Sequence, residues 1–351
     1  MALLLNVDGL RADIAGIFVG AGLGADAADT VAESLVEADR LGLASHGVML
    51  TDMYVHRLKA GSVSTEREPA VISDRGVTMV LDGRNAFGVL TADNAMQKAV
   101  AKARAYGAGI VAVRHAFHFG AARRFTEAAA AAGCVGIALC NTRPLMPAPG
   151  GAERIVGNNP LSIAFPTADA IPFVLDMATS EAAMGKIRMA AKNGAAIPES
   201  WAVKADGSPT TDPLEAIEGM LLPTAGPKGF GLALMIDLLC GVLSGGAFGP
   251  DVKPLYGDMS VPYDCSHLLM AIDIGHFTDA GEAGRRVQAA AQRIRCGARA
   301  PGVTRLYTPG EPEWCKRQEA EDQVSVDEGV AAMLSDLARS LDVQLTTVPL
   351  A

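Results

Sequence analysis

The sequence lacks the marks of several large protein classes. None of its six cysteines forms a C-x-x-C pair, and their spacing matches no zinc or disulfide framework. Aromatic residues make up 5% of the 351 residues, and the formal net charge of −9 argues against a broad nucleic-acid footprint. No run of about 18 apolar residues is apparent, so we expect no membrane-spanning helix. These absences predict a cytoplasmic protein with reduced, mostly buried thiols.

What is present is an alternation of helical and strand patterns. Helical periodicity covers 26–40, about 46–60 and, near the other end, 326–341. The middle of the chain alternates short apolar strands (77–81, 110–113, 135–139, 174–176 and 268–274) with helices (92–106, 121–132 and 229–243). This alternation predicts a mixed α/β layer.

A glycine-rich segment, Gly20-Ala21-Gly22-Leu23-Gly24, imitates a dinucleotide-binding fingerprint. Its spacing is G-x-G-x-G, whereas the fingerprint needs G-x-G-x-x-G. The acidic residue at the expected offset, Asp39, also falls inside a predicted helix and not at the end of a second strand. We interpret the segment as a turn between two helices.

Two histidine segments carry the first candidate chemistry. His46 follows Ser45, which can orient its ring, and a histidine is suited to general acid–base catalysis near neutral pH. His118 lies between a predicted strand and helix, where the N–H groups of Ala121 and Ala122 offer an anion site. Taken singly, histidines in such positions are more often structural than catalytic.

Two later segments suit a cofactor. Small polar residues follow a strand end at 176–180, and Lys228 stands before a buried helix, where it neutralises a phosphate or is simply a solvated turn residue. The histidines show no H-x-x-x-H spacing, so we predict no metal site.

Taken in order, these segments resemble the type-2 malate/L-lactate dehydrogenase family. The matching segments are Ser45-His46-Gly47, 54–58, 118–122, 157–160, 176–180, Gly185-Lys186, Trp201, 209–213, 228–231 and 309–311. They span nearly the whole chain.

The resemblance implies a fold unrelated to the Rossmann dehydrogenases. An NAD(P)-binding α/β domain on a large mixed or antiparallel sheet would span 73–299. A helical domain for substrate and dimer contacts would be built from both chain ends, 1–72 with 300–351. The implied cofactor is NAD or NADP, and the implied assembly is a homodimer.

The resemblance also assigns site residues. The implied catalytic residues are His46, His118 and Ser45. The implied cofactor-binding residues are His118, Phe119, Gly120, Ala121, Ala122, Asp176, Met177, Ala178, Thr179, Lys228, Gly229, Gly310 and Glu311. The implied substrate-binding residues are Tyr54, Asn141, Thr142, Arg143, Asn159 and Lys186.

Two departures concern the substrate. Many members of the family carry Arg at the position of Leu50, where it holds a carboxylate, and Gly-Tyr where this chain has Arg123-Arg124. Because a buried carboxylate needs a cation, we expect Arg123, Arg124 or Arg143 to bind it.

Three functions compete. The first is interconversion of a small 2-hydroxy acid and its 2-oxo acid, with a malate-, lactate- or sulfolactate-like substrate. The second is reduction of a cyclic ketimine carboxylate, whose enzymes carry an acid where this chain has Lys186. The third is a non-catalytic binding relative, against which Ser45, His46 and His118 together argue.

Overall fold

The computed structural model describes residues 2–349. Met1 and residues 350–351, at the two ends of the predicted helical domain, lie outside this range. The helices are α1 Val7–Gly20, α2 Ala25–Arg40, α3 Thr51–Lys59, α4 Gly88–Tyr106, α5 Arg123–Ala131, α6 Met184–Lys192, α7 Pro213–Glu218, α8 Pro227–Ser244, α9 Ala280–Arg295, α10 Glu311–Ala320 and α11 Glu328–Ser340. The strands are β1 Ala2–Asn6, β2 Ala70–Arg75, β3 Thr78–Asp82, β4 Ala108–Ala116, β5 Cys134–Cys140, β6 Met146–Pro147, β7 Arg154–Val156, β8 Leu161–Phe165, β9 Phe173–Met177, β10 Ala202–Val203, β11 Met220–Leu221, β12 Cys265–Asp273 and β13 Gln323–Asp327.

The centre of the fold is a seven-stranded mixed sheet. Its strand order is β2-β3-β4-β12-β5-β8-β9, in which β3 and β4 are parallel and every other neighbouring pair is antiparallel. Helices α4 and α5 pack on this sheet, as does α8. The predicted mixed α/β fold on a large mixed sheet is confirmed.

The two ends of the chain meet in a separate small sheet. Strand β1 pairs antiparallel with β13, placing Leu5 opposite Val324. The two ends of the chain are also joined by hydrogen bonds. The buried Asp13 carboxylate accepts the backbone N–H groups of Thr346, Thr347 and Val348 at 2.7–2.9 Å. The domain boundaries at 72/73 and 299/300 stay a prediction.

Helix α8 has two unlike faces. By length and composition it is apolar enough to cross a membrane, with a mean hydropathy of 1.4, which differs from the expectation drawn from the sequence. However, Ile236 and Cys240 pack against strand residues of the central sheet, and the Asp237 carboxylate accepts hydrogen bonds from the Asn141 side chain and the Gly249 backbone. These contacts bind one face of α8 to the sheet.

Several boundaries differ from the sequence prediction. The helix predicted over 46–60 is two short 3-10 turns, Ala44–His46 and Val48–Leu50, followed by α3. The segment predicted as turns at 61–76 contains β2, and the helix predicted at 326–341 begins only after β13. The prediction for Gly20–Gly24 is confirmed, since these residues join α1 to α2.

Candidate functional site

His46 lies in the tight turn between α2 and α3. Its Nδ1 atom is 2.9 Å from the Ser45 hydroxyl, as the sequence analysis expected of an orienting neighbour. Burial lowers the pKa of His46 below its ordinary value, so the neutral ring is favoured near pH 7. No residue within 2–349 hydrogen-bonds its Nε2 atom.

A carboxylate from α2 holds this turn in place. Asp39 Oδ2 accepts the backbone N–H of Val48 at 2.7 Å, and a Cβ at Gly47 would collide with the same carboxylate. Burial raises the pKa of Asp39 to about 7. Asp39 thus supports the turn that carries His46, a contact that sequence reasoning missed.

His118 follows the end of β4 and stacks on His46. The two ring centroids are 5.6 Å apart, with an interplanar angle of 25°. The Tyr54 hydroxyl on α3 lies 2.6 Å from His118 Nδ1. Burial, together with His46 and His267, lowers the pKa of His118 to about 3, so this ring stays neutral.

The two histidines therefore share one arrangement. Each has its Nδ1 atom against a hydroxyl group, of Ser45 or Tyr54, and each leaves Nε2 without a hydrogen-bond partner in the described range. Two parallel imidazoles with unoccupied Nε2 atoms can act together on one small polar group.

Beside this pair, three predicted cofactor segments converge. Asp176 Oδ2, near the end of β9, accepts the backbone N–H of Arg123 at 3.0 Å, which caps the start of α5. Gly310 packs so closely on Val174 that a Cβ would lie 2.8 Å from that residue's carbonyl oxygen. Gly120, at φ 78°, has the left-handed backbone that favours glycine.

The fourth predicted segment joins at the start of α8. The backbone N–H of Thr224 donates to the Thr179 carbonyl at 2.9 Å, and Gly229 packs against Thr224. A cavity of about 370 Å³ opens here; its lining includes Gly150, Gly207, Gly226 and Pro227. A larger cavity, of about 480 Å³, lies between α2 and α5, and neither is lined by His46 or His118.

Some of the predicted cofactor-binding residues use their side chains for contacts within the protein. Glu311 is fully buried: burial opposes its ionisation, but bonds from Thr308, Arg295 and Arg305 hold its pKa at about 2. Phe119 packs inward against Phe125. The cofactor contacts assigned to Phe119, Ala121, Ala122, Met177, Ala178, Lys228 and Glu311 stay predictions.

The predicted substrate amides also hold the scaffold. The amide of Asn141 bonds Asp237 and the Ala247 carbonyl, while Asn159 bonds the Thr142 backbone and the Ala233 carbonyl. Both asparagines are 0% exposed. Lys186 is exposed on α6. Substrate contacts of Asn141, Thr142, Asn159 and Lys186 stay predictions.

The three candidate arginines differ sharply in their partners. Arg123 pairs with Glu127 at 2.6 Å, and Arg124 pairs with both Glu33 and Asp93 at 2.9 Å. Arg143, by contrast, has no ion pair or hydrogen bond to any residue in 2–349. Of the three, Arg143 is the cation left for a ligand.

Arg143 belongs to a cationic and aromatic cluster that the sequence did not reveal. It interacts electrostatically with Tyr263, which in turn interacts with Tyr54 and packs on Phe117 with ring centroids 6.1 Å apart. Burial, Arg154 and Arg188 lower the pKa of Arg143.

A second arginine of this cluster comes from α6. Arg188 Cζ lies 5.8 Å from the ring centroid of Tyr256, and burial, with a smaller effect of Tyr256, raises the pKa of Tyr54. Arg188 also has no acidic partner or hydrogen bond in the described part of the chain. Both arginines without acidic partners thus lie next to a tyrosine of this cluster, Arg143 with Tyr263 and Arg188 with Tyr256.

Comparison with known proteins decides the family. The sequence profile described as malate/L-lactate dehydrogenase matches residues 5–335. The chain belongs to this family. The resemblance inferred from the short segments is confirmed.

Individual members of the family match along most of their length. The malate dehydrogenase of Pyrococcus abyssi is 38% identical over 292 residues, 81% of this chain and 80% of that protein. The solved sulfolactate dehydrogenase of Methanocaldococcus jannaschii has a TM-score of 0.92 at 33% identity, covering 98% of both chains. The Δ1-piperideine-2-carboxylate reductase of Pseudomonas syringae has a TM-score of 0.85 at 28% identity, covering 96% of this chain and all of the other.

Proposed function

We propose that this chain is an NAD(P)-dependent dehydrogenase of a small 2-hydroxy acid that carries a second anionic group, a carboxylate or a sulfonate. The coarser activity, interconversion of a 2-hydroxy acid and its 2-oxo acid, follows from the family. The observation that carries the finer proposal is the pair of arginines without acidic partners among residues 2–349, Arg143 and Arg188, each next to a tyrosine of the same aromatic cluster.

The histidines divide the proton chemistry between them. The Tyr54 hydroxyl, whose pKa is raised by burial, stays protonated and donates to His118 Nδ1, which leaves the proton of the neutral ring on Nε2. That Nε2–H then orients the substrate oxygen. His46, oriented by Ser45, exchanges the proton with the same oxygen as general acid or base.

The protein surface fits a nicotinamide dinucleotide. The Thr179 hydroxyl is fully buried and has no hydrogen-bond partner in the part of the chain that the structure describes, which is costly unless a ligand supplies one. Gly226, at φ 62°, has open space where a Cβ would stand, beside the start of α8. When bound, the nicotinamide supplies or accepts the hydride, and these residues position it.

The charges favour a dianionic substrate. An arginine without an acidic partner is available for a ligand carboxylate or sulfonate, and each charge-assisted bond contributes about 1.5–3 kcal/mol. Arg143 is half-buried beside Tyr263, which suits the carboxylate common to all 2-hydroxy acids. Arg188 is exposed on α6, which suits the distal anion that separates malate or sulfolactate from lactate.

The test is a substrate panel with matched variants. We expect kcat/KM for oxaloacetate or sulfopyruvate to exceed that for pyruvate by about 10–100-fold, the value of one such bond. Arg188→Met should erase this preference by weakening only the dianions, whereas Arg143→Met should weaken all three substrates. Lys192→Met, at another exposed cation of α6, is the control. Equal kcat/KM for pyruvate and oxaloacetate in the parent would refute the second anion site.

The similarity to a piperideine-2-carboxylate reductase keeps a cyclic ketimine carboxylate as the second candidate. Such a substrate carries one carboxylate, so it would use Arg143 without Arg188. Δ1-Piperideine-2-carboxylate therefore belongs in the same panel; turnover of it above that of every 2-oxo acid would favour this alternative.

We also propose that the chain forms a homodimer in the cytoplasm. The face of α8 turned away from the sheet exposes large apolar side chains in one stripe: Leu232, Met235, Leu239, Val242 and Leu243. Such a patch is typical of a protein–protein interface. The six cysteines are all free thiols, as expected in a reducing compartment.

A further inference from the structure

The central sheet brings two cysteines and a histidine together in the protein interior. Cys140 ends β5, and its register partner on the neighbouring strand β12 is His267. Cys265 begins β12, and the irregular register between Cys265 and His267 keeps its thiol near the other two groups. All three residues are at most 3% exposed.

The separations suit a metal ion. The candidate ligand atoms of the three side chains all lie within 4.8 Å of one another, and Cys265 Sγ is 3.4 Å from His267 Nε2. In a tetrahedral zinc site with thiolate and imidazole ligands, neighbouring ligand atoms are roughly 3.5–3.8 Å apart. Small side-chain movements therefore close this cluster around a cation.

We propose that Cys140, Cys265 and His267 bind one zinc ion per chain. Two thiolates and a neutral imidazole balance the double charge of Zn²⁺, so the complex adds no net charge to the interior. Two cysteine thiols release their protons on binding, and the His267 ring bonds the metal through Nε2 with its remaining proton on Nδ1. Among residues 2–349, Nδ1 has no hydrogen-bond partner that would compete for this proton.

The surroundings define the rest of the site. The His267 ring stacks on Phe119 with centroids 4.5 Å apart, which holds the imidazole plane. The backbone carbonyl oxygen of Asn141 accepts a hydrogen bond from the Cys140 thiol at 3.0 Å in the metal-free state. This oxygen would serve as the fourth ligand.

The experiment measures metal binding directly. The experiment uses the full chain with the substitutions Cys296→Ser and Cys315→Ser, which remove the two cysteines that are not buried. After incubation with Zn²⁺ and gel filtration, we expect one zinc per chain. Incubation with Co²⁺ should give a thiolate-to-cobalt charge-transfer band, a readout that does not depend on activity.

Variants in this background assign the ligands. Cys140→Ser combined with Cys265→Ser should lower bound zinc at least tenfold and abolish the cobalt band, with an unchanged far-UV circular dichroism spectrum. Cys134→Ser, at a buried thiol of the same strand β5, should keep both. Zinc bound equally by the double variant would overturn the proposal. A cobalt spectrum of the parent without a thiolate-to-cobalt band would also overturn the proposal. This second test does not require that any variant folds.

Discussion

At the residue scale, the two stacked imidazoles differ in what surrounds them. Deep burial, with His46 and His267 nearby, lowers the pKa of His118 and keeps the ring neutral, and its Nδ1 faces the Tyr54 hydroxyl, whereas the Nδ1 atom of His46 faces the small Ser45 hydroxyl. A proton carrier must change protonation state during turnover, and a pKa near 3 prevents this for His118 close to neutral pH. His46 is therefore the better proton carrier.

Replacing His46 tests this assignment. His46→Ala should lower kcat by about 10²–10⁴-fold, the usual contribution of general acid–base catalysis, because no other group replaces its Nε2. Fluorescence titration with NADH or NADPH should give an unchanged Kd. The control is His56→Ala, at an exposed histidine of α3 that bonds only within its own helix. Near-full turnover of His46→Ala would remove His46 from the mechanism.

The raised pKa of Asp39 predicts how the free energy of unfolding depends on pH. Its pKa is raised to about 7 in the folded state, against about 3.9 in an unfolded chain. The unfolded state therefore ionises first, and the contribution of Asp39 to stability is greatest below about pH 4 and falls as pH rises to about 7.

Asp39→Asn should remove this loss of stability with rising pH. The new amide oxygen still accepts the Val48 N–H, but the side chain carries no charge. Relative to the parent, the variant should gain about 2–4 kcal/mol in free energy of unfolding between pH 4 and pH 8. Urea unfolding at both pH values measures this. A difference between variant and parent that does not change with pH would contradict the assigned pKa shift.

At the element scale, the site elements were the easier part to predict. Helix α8 was expected over 229–243 and spans 227–244, because its long apolar run, interrupted by Asp237, is a local signal. The sequence predicts a helix at the position where His46 lies in a turn. The shape of this turn depends on a hydrogen bond to the Asp39 carboxylate of the preceding helix, which no local pattern reveals. Strands β1 and β13 were missed because the partner of each lies at the far end of the chain.

The exposed stripe of α8 predicts the assembly. Met235→Lys combined with Leu239→Lys should convert a dimer into a monomer, because burying two unpaired charges in an interface is unfavourable. Sedimentation velocity gives the mass of parent and variant. Leu214→Lys, at an exposed leucine of α7, should leave the mass unchanged. A monomeric parent, or a variant that stays dimeric, would rule out this interface.

At the scale of the whole molecule, the order of the short segments along the chain predicted the family and the fold better than the residue spacing within any one segment did. The family was recognised because many short segments occur in the right sequence, and with it came the mixed sheet. Side-chain clusters drawn from distant segments stayed hidden. Cys140 and His267 are neighbours in space only because β5 and β12 pair, and Arg188 affects the pKa of Arg143 only through the placement of α6.

The pairing of β1 with β13 has a consequence for biosynthesis. Strand β1 pairs with residues 323–327, so after its own synthesis it waits until residues 7–322 have been translated. At about 5–20 residues per second, that wait lasts roughly 15–65 s. During this time Leu3 and Leu5 have no partner strand. Until β13 has been made, the growing polypeptide therefore keeps an apolar segment exposed to solvent that the finished protein covers.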